Sequence, residues 1–86
     1  MPELSRFYGI VIKMFFDDHN PPHFHAQYSG QEVLIDIRTL AVISGRLPAR
    51  AIGLVAEWAS LHQSELLSGW QRAKNLQPPQ KIDPLP

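Results

Sequence analysis

Three histidines, His19, His23 and His25, fall in the segment Asp17-Asp18-His19-Asn20-Pro21-Pro22-His23-Phe24-His25. Imidazole is the commonest protein ligand for zinc and also a general acid or base near neutral pH. The spacing H-x3-H-x-H has a physical meaning. Residues two apart on a strand point to the same face, about 6.7 Å apart along the chain. His23 and His25 can therefore converge on one ion, with the preceding turn returning His19 as a third ligand. Three imidazoles and one open position make a minimal hydrolytic zinc site. Asp17 and Asp18 are close enough to act as outer partners or as a fourth ligand. A simpler account makes the same segment a rigid Pro-Pro turn whose polar side chains face water.

The fourth histidine, His62, falls in an apolar helical stripe between Trp58 and Leu66. A buried imidazole needs hydrogen-bond partners, which a backbone carbonyl, Tyr8 or Tyr28 could supply. Alternatively, His62 faces the sheet where His23 or His25 emerges. His23, His25 and His62 would then be the catalytic residues of a metal-free acid–base site. Arg46 and Arg50 bracket a helix N-terminus and could hold a phosphate there, which would suit an endoribonuclease. Their ordinary role is to be solvated or paired with acids.

These side chains must be carried by strands and a helix. Phe7 to Phe16 alternates as one strand, with Ile10, Ile12, Met14 and Phe16 on one side. The Asp-His-Asn-Pro-Pro stretch breaks it. Phe24 to Tyr28 is a second strand, Ser29-Gly30 a tight turn, and Gln31 to Ile37 a third. Leu40 to Ile43 adds a short fourth. In the second strand, Phe24, Ala26 and Tyr28 form the more apolar face. His23, His25 and Gln27 then point to the open face, away from the helix.

From Pro48 the period becomes helical, with Val55, Trp58, Ala59, His62, Leu66, Gly69, Ala73 and Leu76 in one stripe. Unbroken to Leu76, this helix would be about 40 Å long. A domain of this size is only about 30 Å across. The helix must bend, with Gly69 the weak point, or overhang and meet a partner, with Trp70 as an anchor. The expectation is an α+β domain over residues 1–76: an antiparallel sheet of three to four strands with one long C-terminal helix packed on one face. Residues 77–86 form an extended Pro-rich tail, with Ile82 and Leu85 docking on the domain.

Composition bounds the functions open to this domain. The chain has 86 residues, eight Lys+Arg against eight Asp+Glu, four histidines and no cysteine. Zero net charge removes the basic excess of a general nucleic-acid binder. The missing cysteines exclude disulfides and thiolate metal sites. No segment reads as a signal peptide or a membrane span, so a soluble cytoplasmic protein is expected.

Four blocks carry a family resemblance: Phe7-Tyr8-Gly9-Ile10, Asp18 to Tyr28, Gly45-Arg46-Leu47-Pro48, and Trp58 to Leu66. Through them the chain resembles the uncharacterised bacterial domain-of-unknown-function family 4160. The residues matching its motif are His19, Pro21, Pro22, His23, His25, Tyr28, Trp58, His62, Leu66 and Trp70. Genes of that family commonly sit beside those of family 2442, a pairing assigned as toxin–antitoxin. The resemblance thus implies a small protein-interaction module acting as one component of such a pair. Its partner would be the family 2442 neighbour, or a second copy in a homodimer, bound through His19, Tyr28, Trp58, Trp70, Arg46 and Arg50. The alternative is a histidine-dependent enzyme, an endoribonuclease or a metal-assisted hydrolase, with RNA as partner only in the first case. The module needs no cofactor; the hydrolase would take zinc at His19, His23 and His25.

Overall fold

The structure, a computed structural model, describes residues 3–86; the first two residues of the expected 1–76 domain lie outside it. Its elements are β1 (Glu3–Phe7), β2 (Ile10–Lys13), β3 (His23–Tyr28), β4 (Gln31–Asp36), β5 (Val42–Gly45), α1 (Ala49–Leu61) and α2 (Gln63–Lys74). The strands form one antiparallel sheet in the order β1-β2-β3-β4-β5. The α+β class holds, but five strands and two helices replace the expected three to four strands and single long helix.

Each discrepancy has a local cause. Phe7 to Phe16 is not one strand, because Tyr8 and Gly9 both take positive φ, 51° and 81°, and fold the chain into a tight hairpin. Ser29 and Gly30 do the same between β3 and β4, at 50° and 80°. Two consecutive left-handed residues match the natural twist of the strands they join. Gly invites this conformation, whereas Tyr does not advertise it.

The helix divides at His62, where φ is −130° and ψ is 24°. Next to the break, the Gln63 side chain donates to the backbone carbonyls of Ile37 at 2.9 Å and Arg38 at 3.2 Å, fixing the new helix to the end of β4. Helices of 13 and 12 residues are each about 20 Å long and fit a molecule of 33 × 26 × 23 Å. The overhang therefore disappears. Gly69 stays helical and serves close packing: a Cβ there would lie 3.3 Å from Pro79 Cβ and 3.6 Å from Met14 Sδ.

Ile10, Ile12, Met14, Phe24, Ala26, Val33 and Ile35 form the sheet's buried face. Val55, Trp58, Ala59, Leu66 and Ala73 of the helices are buried in the same core. Residues 77–86 run extended beside β1, where the Ile82 N–H donates to the Leu4 carbonyl at 2.8 Å. Among the described residues, no helix is long and apolar enough to cross a membrane.

Candidate metal centre

Strand alternation places the first two functional side chains. His23 and His25 lie on the face opposite Phe24 and Ala26, at the start of β3. Yet His23 is not remote from the helices, since its ring packs against Trp70 of α2 with centroids 5.2 Å apart. Trp70 is itself buried and meets the end of the sheet. The Phe15 ring meets His25 edge-on at 4.3 Å. Both histidines are more than nine-tenths buried.

The loop between β2 and β3 brings a carboxylate to them. The Asp17 N–H donates to the Ala73 carbonyl at 3.2 Å, and Lys74 Nζ donates to the Asp18 carbonyl at 3.2 Å, tying this loop to the end of α2. One Asp18 oxygen, Oδ1, accepts the His19 backbone N–H at 2.8 Å. The other, Oδ2, lies 3.0 Å from His23 Nε2 and 3.2 Å from His25 Nε2. Burial raises the Asp18 carboxyl's pKa. The His25 hydrogen bond, the His19 N–H and the charges of His23 and His25 outweigh it and hold the carboxyl below its usual range.

The proton positions are informative. His23 Nδ1 is 2.8 Å from the Pro21 carbonyl, which can only accept, so Nδ1 carries a proton and donates it. In a neutral imidazole the Nε2 atom then presents a lone pair, aimed at another acceptor, Asp18 Oδ2. Two lone pairs facing at 3.0 Å require something positive between them, either a second ring proton or a metal cation. His25 repeats the theme. Its Nδ1 is buried without a hydrogen-bond partner, and Glu32 Oε2 lies 3.5 Å away.

The donor set fits a transition metal. One ligand atom from each of Asp18, His23 and His25 lies within 4.8 Å of the other two. Donors of a tetrahedral zinc, bound at about 2.0–2.1 Å, sit about 3.3 Å apart. The observed 3.0 and 3.2 Å are close to that spacing. His23 turns its Nδ1 away from the centre to the Pro21 carbonyl, the usual outer support of a metal-bound imidazole, while His25 Nδ1 faces Glu32 Oε2 at 3.5 Å without a hydrogen bond.

The remaining sequence candidates are dispersed. His19 contributes its backbone N–H to Asp18, and its ring is outside the ligand group. His62 lies tilted against Trp58, with ring centroids 5.5 Å apart, and pairs through Nδ1 with Glu65, and it is outside the group formed by Asp18, His23 and His25. Trp58 is fully buried, with its indole N–H donating to the Asp83 carbonyl at 2.8 Å. Arg46 and Arg50 are exposed at the junction of β5 and α1, and among the described contacts neither touches a histidine. Tyr28 lines a cleft beside Tyr8 and Arg50 at the opposite end of β3. The sequence suggests Asp18 only as an outer partner or fourth ligand, and its spacing does not single out Glu32 or Lys74.

Residues 9–71 match the family model described as Domain of unknown function (DUF4160). The chain belongs to this family. The DUF4160 match contains Asp18, His23, His25, Glu32 and Trp70 but stops before Lys74 and the proline-rich segment. No curated protein and no solved structure matches the chain.

Proposed function

We propose that this protein binds one divalent transition metal, zinc foremost, through Asp18, His23 and His25, and uses it for metal-assisted hydrolysis. The carrying observation is the meeting of two Nε2 atoms on one carboxylate oxygen, with the Nδ1 proton of His23 already committed to Pro21. Three protein ligands would leave a position open, and zinc so held would supply Lewis-acid activation of water near neutral pH. The chain's own residues would hold and orient this centre: Pro21 and Glu32 through the histidines, Lys74 through the Asp18 loop. Phe15 and Trp70 shield the imidazoles on two sides.

Metal analysis of untagged protein tests the first step. One equivalent of metal per chain is expected, lost in His23→Ala. Failure of zinc, iron(II), manganese and cobalt to bind in calorimetry would end the proposal. Activity against a panel of model phosphate and carboxylate esters, dependent on the metal and on Asp18, tests the hydrolytic step.

A partner-binding role remains a separate proposal. Its support is β5, exposed along its whole length, with Val42 and Ile43 both open to solvent. The overlong helix no longer contributes, because the helix divides at His62. Co-expression with a family 2442 neighbour should yield a stoichiometric complex if this component belongs to a toxin–antitoxin pair; separate monomers by light scattering would remove that role.

A further inference from the structure

One edge of the sheet is covered and the other is open. The C-terminal segment runs beside β1, where the Ile82 N–H donates to the Leu4 carbonyl at 2.8 Å. At the far edge, residues 41–46 are all exposed, so β5 buries no side chain on either of its faces. Among the described residues, no backbone hydrogen bond reaches Val42–Gly45 except from β4. The outer N–H and C=O groups of β5 are therefore an unused half-ladder, the template onto which a further strand adds. Lysine, proline and inward-pointing charges commonly guard such an edge. Residues 41–45, Ala-Val-Ile-Ser-Gly, contain none of them, and only the strand's brevity and one bulge at Ile43 protect it.

The unpaired charges beside this edge have one sign. Val42 and Ile43, 48% and 43% exposed, form its apolar middle. Arg38 stands before β5, Arg46 directly after it and Arg50 four residues further on, and all three are exposed. None of the three belongs to an ion pair among the described residues. The acids of β4 are already engaged: Asp36 accepts the N–H groups of Arg38 and Thr39, and Glu32 accepts from Gln27. A second copy paired antiparallel on β5 would bring the Arg46 end of each chain against the Arg38 end of the other. Like charges so placed oppose that pairing and favour acidic residues in the same positions. Charge thus decides what this edge can take.

We propose, resting on the partner-binding role above, that β5 accepts an extended segment of a partner protein as a sixth strand. That segment is apolar at its centre and acidic at both ends. Four residues of β5 span about 13 Å, too few backbone bonds to hold a strand unaided. The segment's β-branched residues would cover Val42 and Ile43, and its terminal carboxylates would meet Arg46 at one end and Arg38 at the other.

A blocked Asp-Glu-Val-Thr-Val-Thr-Glu-Asp peptide titrated into isotope-labelled full chain, read by amide chemical shifts, tests this. Saturable shifts centred on Val42–Gly45 are expected, with affinity falling as salt rises. A control peptide with lysine at every acidic position should bind at least ~10-fold more weakly. In the double variant Arg38→Glu, Arg46→Glu that preference should reverse, with the urea midpoint little changed because both side chains are exposed. Equal binding of the two peptides, no shifts at millimolar peptide, shifts centred on another element, or a preference that the variant fails to reverse would each overturn the proposal. So would self-association of the chain through the β5 amides, which makes a second copy the occupant. A complex with the family 2442 neighbour that left these amides unshifted would overturn this surface while leaving the partner-binding role intact.

Discussion

At the scale of single residues, the site turns on a conflict of lone pairs. His23 cannot give Asp18 a proton from Nε2 while neutral, because Pro21 already holds its proton at Nδ1. Asp18→Asn should therefore lower metal affinity at least ~100-fold, through loss of the anionic ligand common to both histidines. Glu32→Ala should cost about 10–100-fold, the usual effect of removing an outer acceptor, with stoichiometry unchanged. Calorimetric titration checks both, and an unchanged affinity in Asp18→Asn would refute the assigned ligand set. Asp18 also sets the sign of an acid response. Its folded pKa is held below the ordinary 3.8, so the unfolded state binds its proton first as pH falls. The ionised group thus stabilises the fold above that ordinary value, and the contribution is lost as pH drops through the folded value. Denaturation midpoints of metal-free wild type should fall more steeply with acid than those of Asp18→Asn. Much of this was legible in the chain, since period-two alternation alone puts His23 and His25 together. The place of Asp18 beside them was not, because a loop rich in Asp, His and Pro has no period. Whether Asp18 or His19 turned inward depended on the tie between Asp17 and α2, far away in sequence.

Among the elements, local rules were readable where backbone chemistry is unusual and hidden where two structures share one pattern. Ser29-Gly30 declared its hairpin. Tyr8-Gly9 concealed an equivalent one inside an alternating run, so β1 went unseen. The apolar stripe likewise runs unbroken through His62, since α1 and α2 pack on the same core, and periodicity cannot register a change of direction. Gly45 shows what tertiary contact adds. Its φ is 82°, and an added Cβ would stand 2.2 Å from the Glu32 carbonyl oxygen. Gly30 has a similar φ of 80° with nothing within 4 Å. Gly30→Ala should cost about 1 kcal/mol, for left-handed strain alone. Gly45→Ala adds a backbone collision and should cost more than about 3 kcal/mol, since β4 and β5 must separate. Urea denaturation of the pair separates the two terms; equal losses would mean that the close approach to Glu32 carries no energy.

For the whole molecule, the proline-rich segment is part of the core and not an appendage. Ile82 and Leu85 are at most 8% exposed, and Trp58, the largest fully buried side chain, hydrogen-bonds to Asp83 between them. A chain of 86 residues has little apolar surface to spare, so two docked side chains matter disproportionately. Ile82→Ala should lose about 2 kcal/mol by the apolar surface it uncovers. Trp58→Phe should lose about 1–3 kcal/mol, from indole volume and the carbonyl bond together. These losses should not add. Once Ile82 is truncated, the segment is held more loosely and the Trp58–Asp83 bond is worth less, so the double variant should fall short of the sum by at least ~0.5 kcal/mol. Indole fluorescence and far-ultraviolet dichroism should follow one coincident urea transition in wild type, since the segment covers the same core that the helices and sheet build. Strict additivity, or an early fluorescence transition with the dichroism unchanged, would mean that the segment detaches independently.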